Sequence, residues 1–213
     1  MKLLKTWIYI ITLLYLPQVW SITDINIKYS SNYLMPAYVH FQAEGKRYKV
    51  AASINVPFYK IQFSSQGEQT TNYFKMEDYL DTRNGKPYAL SKIRHQQVEY
   101  GKVQNGLSKQ DVNLPIFDLF SLAFQLAYYD KLPLNFMITN GKKLYKMENV
   151  VVNKSTRKLP NSGQEQMEIS YRFKTEDNKE IVVKKIAGEG FPRYISYSRD
   201  GDDYELTFKE FVK

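Results

Sequence analysis

Side chains that attack, move protons or hold metals are sparse in this chain. The two histidines, His40 and His95, lack a partner at ligand spacing, such as a second His four residues on, so no metal site is expected. Carboxylates gather in two places, Glu77-Asp78-Asp81 and Asp200, Asp202, Asp203. A glycoside hydrolase needs two such groups across a cleft, with their proton affinities pushed apart. The second group surrounds an Asp-Gly pair, where acids serve as turn formers, and its spacing lacks the longer alternating loop and closing Glu of an EF-hand. No Gly-x-Ser-x-Gly elbow occurs, and the 10 glycines are dispersed rather than grouped into a phosphate-cradling loop. Cysteine is absent, which excludes disulfides, thiol catalysis, thiolate metal sites and a lipid-modified amino-terminal cysteine. The expectation is a protein with no catalytic residues, no metal and no cofactor.

Its address is easier to read. Lys2 and Lys5 precede an uncharged stretch with an apolar heart at positions 7–16, then Pro17 and Val19-Trp20-Ser21. That order of charge, apolar core and smaller residues is a secretory signal peptide spanning 1–21, cleaved near Ser21. Its core is too short to cross the roughly 30 Å of bilayer hydrocarbon comfortably. The alternative is an uncleaved anchor, since Trp20 is an awkward neighbour for cleavage. An exported, cysteine-free domain fits the periplasm of a Gram-negative bacterium.

The chain carries 30 Lys and Arg against 22 Asp and Glu, and without Lys2 and Lys5 the balance is 28 against 22. Such an excess suits anionic partners such as phospholipid headgroups or acidic glycans, or a simply solvated surface. The exported address sets nucleic acid aside.

The elements that must position any site come from turn signals. Glu44-Gly45, Asn84-Gly85, Asn105-Gly106, Asn140-Gly141 and Asp200-Gly201 each separate alternating apolar segments. Asn, Asp and Gly adopt the positive φ of a tight hairpin at low cost. Segments 38–42, 47–54, 136–139, 144–147, 168–174 and 204–209 show the period-two pattern of strands with one wet face, and Ile25, Ile27 and Tyr29 suggest a first strand. With 18 Tyr and 12 Phe, half-buried pleated surfaces are well supplied. Segment 153–163 reads as a loop.

One helix is expected, at about 115–129, with Asn113 as its cap, Pro115 in its first turn and Pro133 beyond its end. On that helix Phe117, Phe120 and Phe124 recur at i, i+3 and i+7 and so share a face. This face is either core filler or the wall of an apolar ligand pocket. The fold class is therefore mainly β: residues 22–213 form one domain, a single curved antiparallel sheet or incomplete β-barrel, with the apolar helix packed on its concave side.

The run Asp118-Leu119-Phe120-Ser121-Leu122-Ala123-Phe124-Gln125-Leu126 resembles the start of the single apolar helix in a family of exported bacterial proteins, domain-of-unknown-function family 3108. The early hairpin at 38–54 is similar too, as is the ending Phe191-Pro192-Arg193-Tyr194-Ile195-Ser196-Tyr197 with Asp200-Gly201. The family's Asp-Pro is Asp118-Leu119 in this chain. The resemblance implies an envelope location and a curved sheet like that of lipoprotein carriers, and carries no catalytic residues. The expected function is a non-catalytic periplasmic protein binding a lipid, a lipid-linked glycan or another amphipathic ligand. The alternatives are a structural module binding another envelope protein and, third, a glycan hydrolase using two carboxylates.

Overall fold

A computed structural model describes residues 23–33, 35–160, 166–175, 179–199 and 202–213. The segment 1–21, read from the sequence as a signal peptide, and the Asp200-Gly201 pair, read as a turn, lie outside the described residues.

The amino-terminal half is a meander of hairpins: β1 (Thr23–Ser31), β2 (Ala37–Glu44), β3 (Arg47–Val56), β4 (Tyr59–Gln69), β5 (Phe74–Arg83), β6 (Lys86–Arg94), β7 (Gln97–Lys102) and β8 (Ser108–Asp111). Next come β9 (Ile116–Phe117), helix α1 (Leu119–Tyr129), β10 (Phe136–Thr139) and β11 (Leu144–Met147). A second meander closes the chain: β12 (Asn153–Lys158), β13 (Met167–Lys174), β14 (Glu180–Ile186), β15 (Tyr194–Arg199) and β16 (Asp202–Phe211). Antiparallel pairing of β16 with β1 joins the two meanders into one 13-stranded sheet, in the order β12-β13-β14-β15-β16-β1-β2-β3-β4-β5-β6-β7-β8. The sheet is not closed into a barrel.

It is, however, strongly curved. Helix α1 packs against both β3 and β14, which stand five strand positions apart. Laid flat, five spacings measure about 24 Å, twice the width of a helix, so the sheet must wrap around α1 for both contacts to form. Extra residues help it bend: register shifts interrupt β1–β16 at Lys28/Tyr29, β4–β5 at Gln66/Gly67 and β5–β6 at Asp81/Thr82. At the second of these a Cβ on Gly67 would lie 2.0 Å from the Lys75 carbonyl oxygen, so only glycine fits.

Alternation puts Ile27, Tyr29, Val39, Phe41, Val50 and Phe74 on the concave face, with Tyr171, Phe173, Val183 and Ile195 from the other meander. All are buried against Leu122, Phe124 and Leu126 of α1. A second cluster, Met76, Tyr79, Val98, Val112, Ile116 and Met137, fills the space under a small sheet, β11-β10-β9.

Two expectations need correcting. The helix begins at Leu119, not near 115: Asp118 is its cap, its Oδ1 accepting from the backbone of Phe120 and Ser121 while Ser121 Oγ accepts from the Asp118 N–H. Ile116 and Phe117 pair in parallel with β10, and the Pro115 carbonyl accepts from Met137 N at 2.8 Å. Phe117 thus sits on β9, off the helical face expected for it. The segment read as a loop at 153–163 opens as β12, an edge strand exposed along its length.

Candidate functional site

Three groups of elements leave a gap between them. The first turn of α1 supplies Leu119 and Leu122; the β10–β11 hairpin supplies Ile138, Asn140 and Leu144 to Met147; the second meander supplies Thr175, Ile181 and Tyr197. The cavity between them measures about 550 Å³. Leu122, Met147 and Ile181 are fully buried and form its floor, while Leu119, Ile138, Leu144, Tyr145 and Tyr197 are half-buried along its walls. The exposed Lys146 stands at the rim, its ammonium 2.6 Å from Glu148.

The polar atoms of this wall have defined roles. Thr139 Oγ1 lies 2.9 Å from Ser91 Oγ, accepts from Gly141 N and donates to the Lys143 carbonyl. The Asn140 side-chain oxygen accepts from the backbone of Lys142 and Lys143, which fixes the hairpin turn. These bonds leave the apolar side chains to face the cavity.

Phe117, Phe120 and Phe124 do not line it. Phe117 packs edge-on against Phe136, Phe120 tilts against Phe63, and Phe124 stacks on Phe41 with ring centroids 4.4 Å apart. All three are core. The helix reaches the cavity on another side of its first turn, through Leu119 and Leu122. Nothing in the sequence marked Ile138, Leu144, Ile181 and Tyr197 as neighbours, because they come from strands of two different sheets.

The other side of α1 is tied down by buried polar groups. The Gln125 amide accepts from Phe74 N and donates to the carbonyls of Asn72 and Lys131. Lys185, on the concave face of β14, is 4 % exposed and donates to the Ala127 carbonyl at 2.6 Å, at the negative end of the helix. Its ammonium also sits 3.0 Å from Asp130, which caps the helix in the left-handed conformation and accepts from the Tyr171 hydroxyl. Burial alone would raise the Asp130 carboxyl; hydrogen bonds from Tyr171 and Lys185, with the charges of Lys185 and Lys154, outweigh it and hold the group below its usual value.

The residues singled out for chemistry stand apart from one another. His40 Nε2 lies 2.7 Å from Asp24, whose other oxygen accepts from Gln42; these bonds, Gln42 first, hold the Asp24 carboxyl low. This exposed cross-strand pair is on the convex face, beside a depression of about 400 Å³ lined by Ala51, Ser53 and Ser64. Ser64 is two strands from His40, about 10 Å, beyond direct proton transfer. His95 is exposed in the two-residue turn between β6 and β7. In the first acidic group each carboxylate meets its own arginine: Glu77 with Arg47, Asp78 with Arg94, Asp81 with Arg83. Asp81 is the buried member, and burial raises its carboxyl against the pull of Arg83. In the second group Asp203 is exposed, and Asp200 and the Asp202 side chain lie outside the described residues. Among the described residues no three His, Cys, Asp or Glu side chains are grouped to hold a metal.

No family model matches the chain, and no curated protein or solved structure matches it either.

Proposed function

We propose that the protein is a non-catalytic binder of a lipid or other amphipathic ligand in the periplasmic cell envelope, the envelope location being what the amino-terminal segment and the resemblance to family 3108 imply. The cavity beside α1 carries this reading. At about 550 Å³ it falls within the range of roughly 300–1,000 Å³ typical of small-molecule sites, whereas packed interiors leave few voids larger than a water. Its floor of Leu, Met and Ile suits an acyl chain, and the rim, with Tyr145 and the Lys146–Glu148 pair, suits a polar head.

The alternative, a module that offers sheet edges to another envelope protein, is less well supported by the two edges themselves. The outermost strands β8 and β12 are exposed and carry Lys109, Lys154 and Lys158, the kind of charge that discourages strand addition. A glycan hydrolase would need two carboxyls facing one cleft, and Glu77, Asp78 and Asp81 are each neutralised separately.

Titration with a fluorescent fatty-acyl probe tests the proposal. Saturable binding of one probe per chain, abolished in Leu144→Trp, whose added ring fills the cavity from its wall, is the expected result. Equal binding by the variant, or none by either protein, would remove lipid binding at this cavity.

A further inference from the structure

Because the strands alternate in direction, the β3–β4, β5–β6 and β7–β8 connections emerge at one end of the sheet, side by side. The first two are tied together: Asn84 donates its N–H to the Lys60 carbonyl and accepts the Lys60 N–H through its side chain. The β10–β11 turn joins them through a 2.8 Å bond from Gly101 N to the Gly141 carbonyl.

Two things set this end apart. At the β3–β4 tip, Pro57-Phe58 fills a two-residue turn in which Phe58 has φ +62°, a conformation that favours Gly or Asn. The ring is fully exposed (relative area 103 %), and the neighbouring Tyr59 is exposed too. A bulky apolar side chain in a strained conformation, burying nothing, contributes nothing to the fold of this chain. Around it, segments 55–60, 83–88, 101–107 and 140–143 hold Lys60, Arg83, Lys86, Lys102, Lys142 and Lys143 and no Asp or Glu; the buried Asp81 beside them is paired with Arg83, which leaves five lysines in excess. Three of these cations surround one ring, with Arg83, Lys102 and Lys142 at 5.4, 5.6 and 5.9 Å from the Tyr88 centroid.

We propose that this end docks the protein on an anionic phospholipid bilayer, with Phe58 inserted at the interface and Lys60, Lys86, Lys102, Lys142 and Lys143 against the headgroups. Apolar tip and cations lie on adjoining turns, as a membrane surface requires, where acyl boundary and phosphate layer meet. A dissolved anion would use the cations and leave Phe58 without purpose. Docking here does not depend on the cavity being filled, so Leu144→Trp should dock like the natural chain.

Flotation with vesicles of phosphatidylcholine alone, or mixed with phosphatidylglycerol, tests it. The natural chain should float with the mixed vesicles and lose them at high salt. Phe58→Asn, which suits the turn and leaves the fold intact, should weaken binding about tenfold. Lys60→Gln and Lys86→Gln should each cost about fivefold. Failure of the natural chain to float with the mixed vesicles overturns the proposal. So does unchanged binding in Phe58→Asn, which with losses in the lysine variants would leave only adsorption by charge, without the insertion proposed.

Discussion

Replacing Lys185 by Met keeps the shape of a buried side chain and removes its charge, a direct probe of how α1 is held against the sheet. The ammonium donates to the Ala127 carbonyl at 2.6 Å and faces Asp130 at 3.0 Å. A hydrogen bond from a charged donor is worth roughly 1.5–3 kcal/mol. Asp130 is nearly half exposed, with a side-chain relative area of 46 %, so solvent screens the ion pair to at most about 1 kcal/mol. Against these stands the cost of keeping an ammonium out of water, which the variant recovers in part. The net loss at neutral pH is about 2 kcal/mol, a fall of roughly 4–8 °C in Tm for a chain of this size. The loss should depend on pH. Asp130 has a folded-state proton affinity below its unfolded one, so its stabilisation is present above the unfolded value of about 3.9 and disappears as pH falls through the lower folded value. Without Lys185 the Asp130 carboxyl is lowered less and has less to lose. The gap between the natural chain and Lys185→Met, read by urea denaturation at a series of pH values, should therefore narrow below about pH 4. A variant as stable as the natural chain at pH 7, or a gap that stays constant into acid, would refute the role given to this lysine.

Other substitutions separate core, backbone and surface. Phe124→Ala removes a fully buried ring stacked on Phe41 and should cost about 3–5 kcal/mol in chemical denaturation. Gly67→Ala forces a methyl against the Lys75 carbonyl at the β4–β5 bulge, and a loss of about 3 kcal/mol or failure to fold is expected; unchanged stability would mean the bulge moves freely. Phe58→Asn relieves the positive φ without losing any packing and should raise stability by about 1 kcal/mol in the same assay.

What the sequence revealed follows how local each determinant is. The Asn84-Gly85 turn was legible because both of its residues take positive φ, as the tight hairpin demands. The same turn built from His95 and Gln96, with φ of +48° and +63°, carried no such signal. Alternation along 168–174 and 204–209 marked β13 and β16, yet no periodicity announces that β16 returns to pair with β1 across nearly the whole chain. The helix start was misplaced because Asn113 and Pro115 form a plausible cap, while the strand pairing that draws Ile116 and Phe117 away from the helix comes from β10, about twenty residues on. Aromatic residues on α1 suggested a pocket, but large rings at the centre of a curved sheet are what packing consumes first. The space that remains is bounded by Leu122, Ile138, Leu144 and Ile181, whose meeting depends on the small sheet standing off from the second meander.

Native mass spectrometry of the protein, purified without detergent from the cells that make it, bears most directly on the claim that the cavity beside α1 holds an acyl chain. A lipid-filled cavity gives a folded population heavier than the bare chain by the mass of one lipid, which organic solvent extracts and Leu144→Trp lacks. A spectrum holding only the bare chain, with no acyl species in the extract, would contradict it.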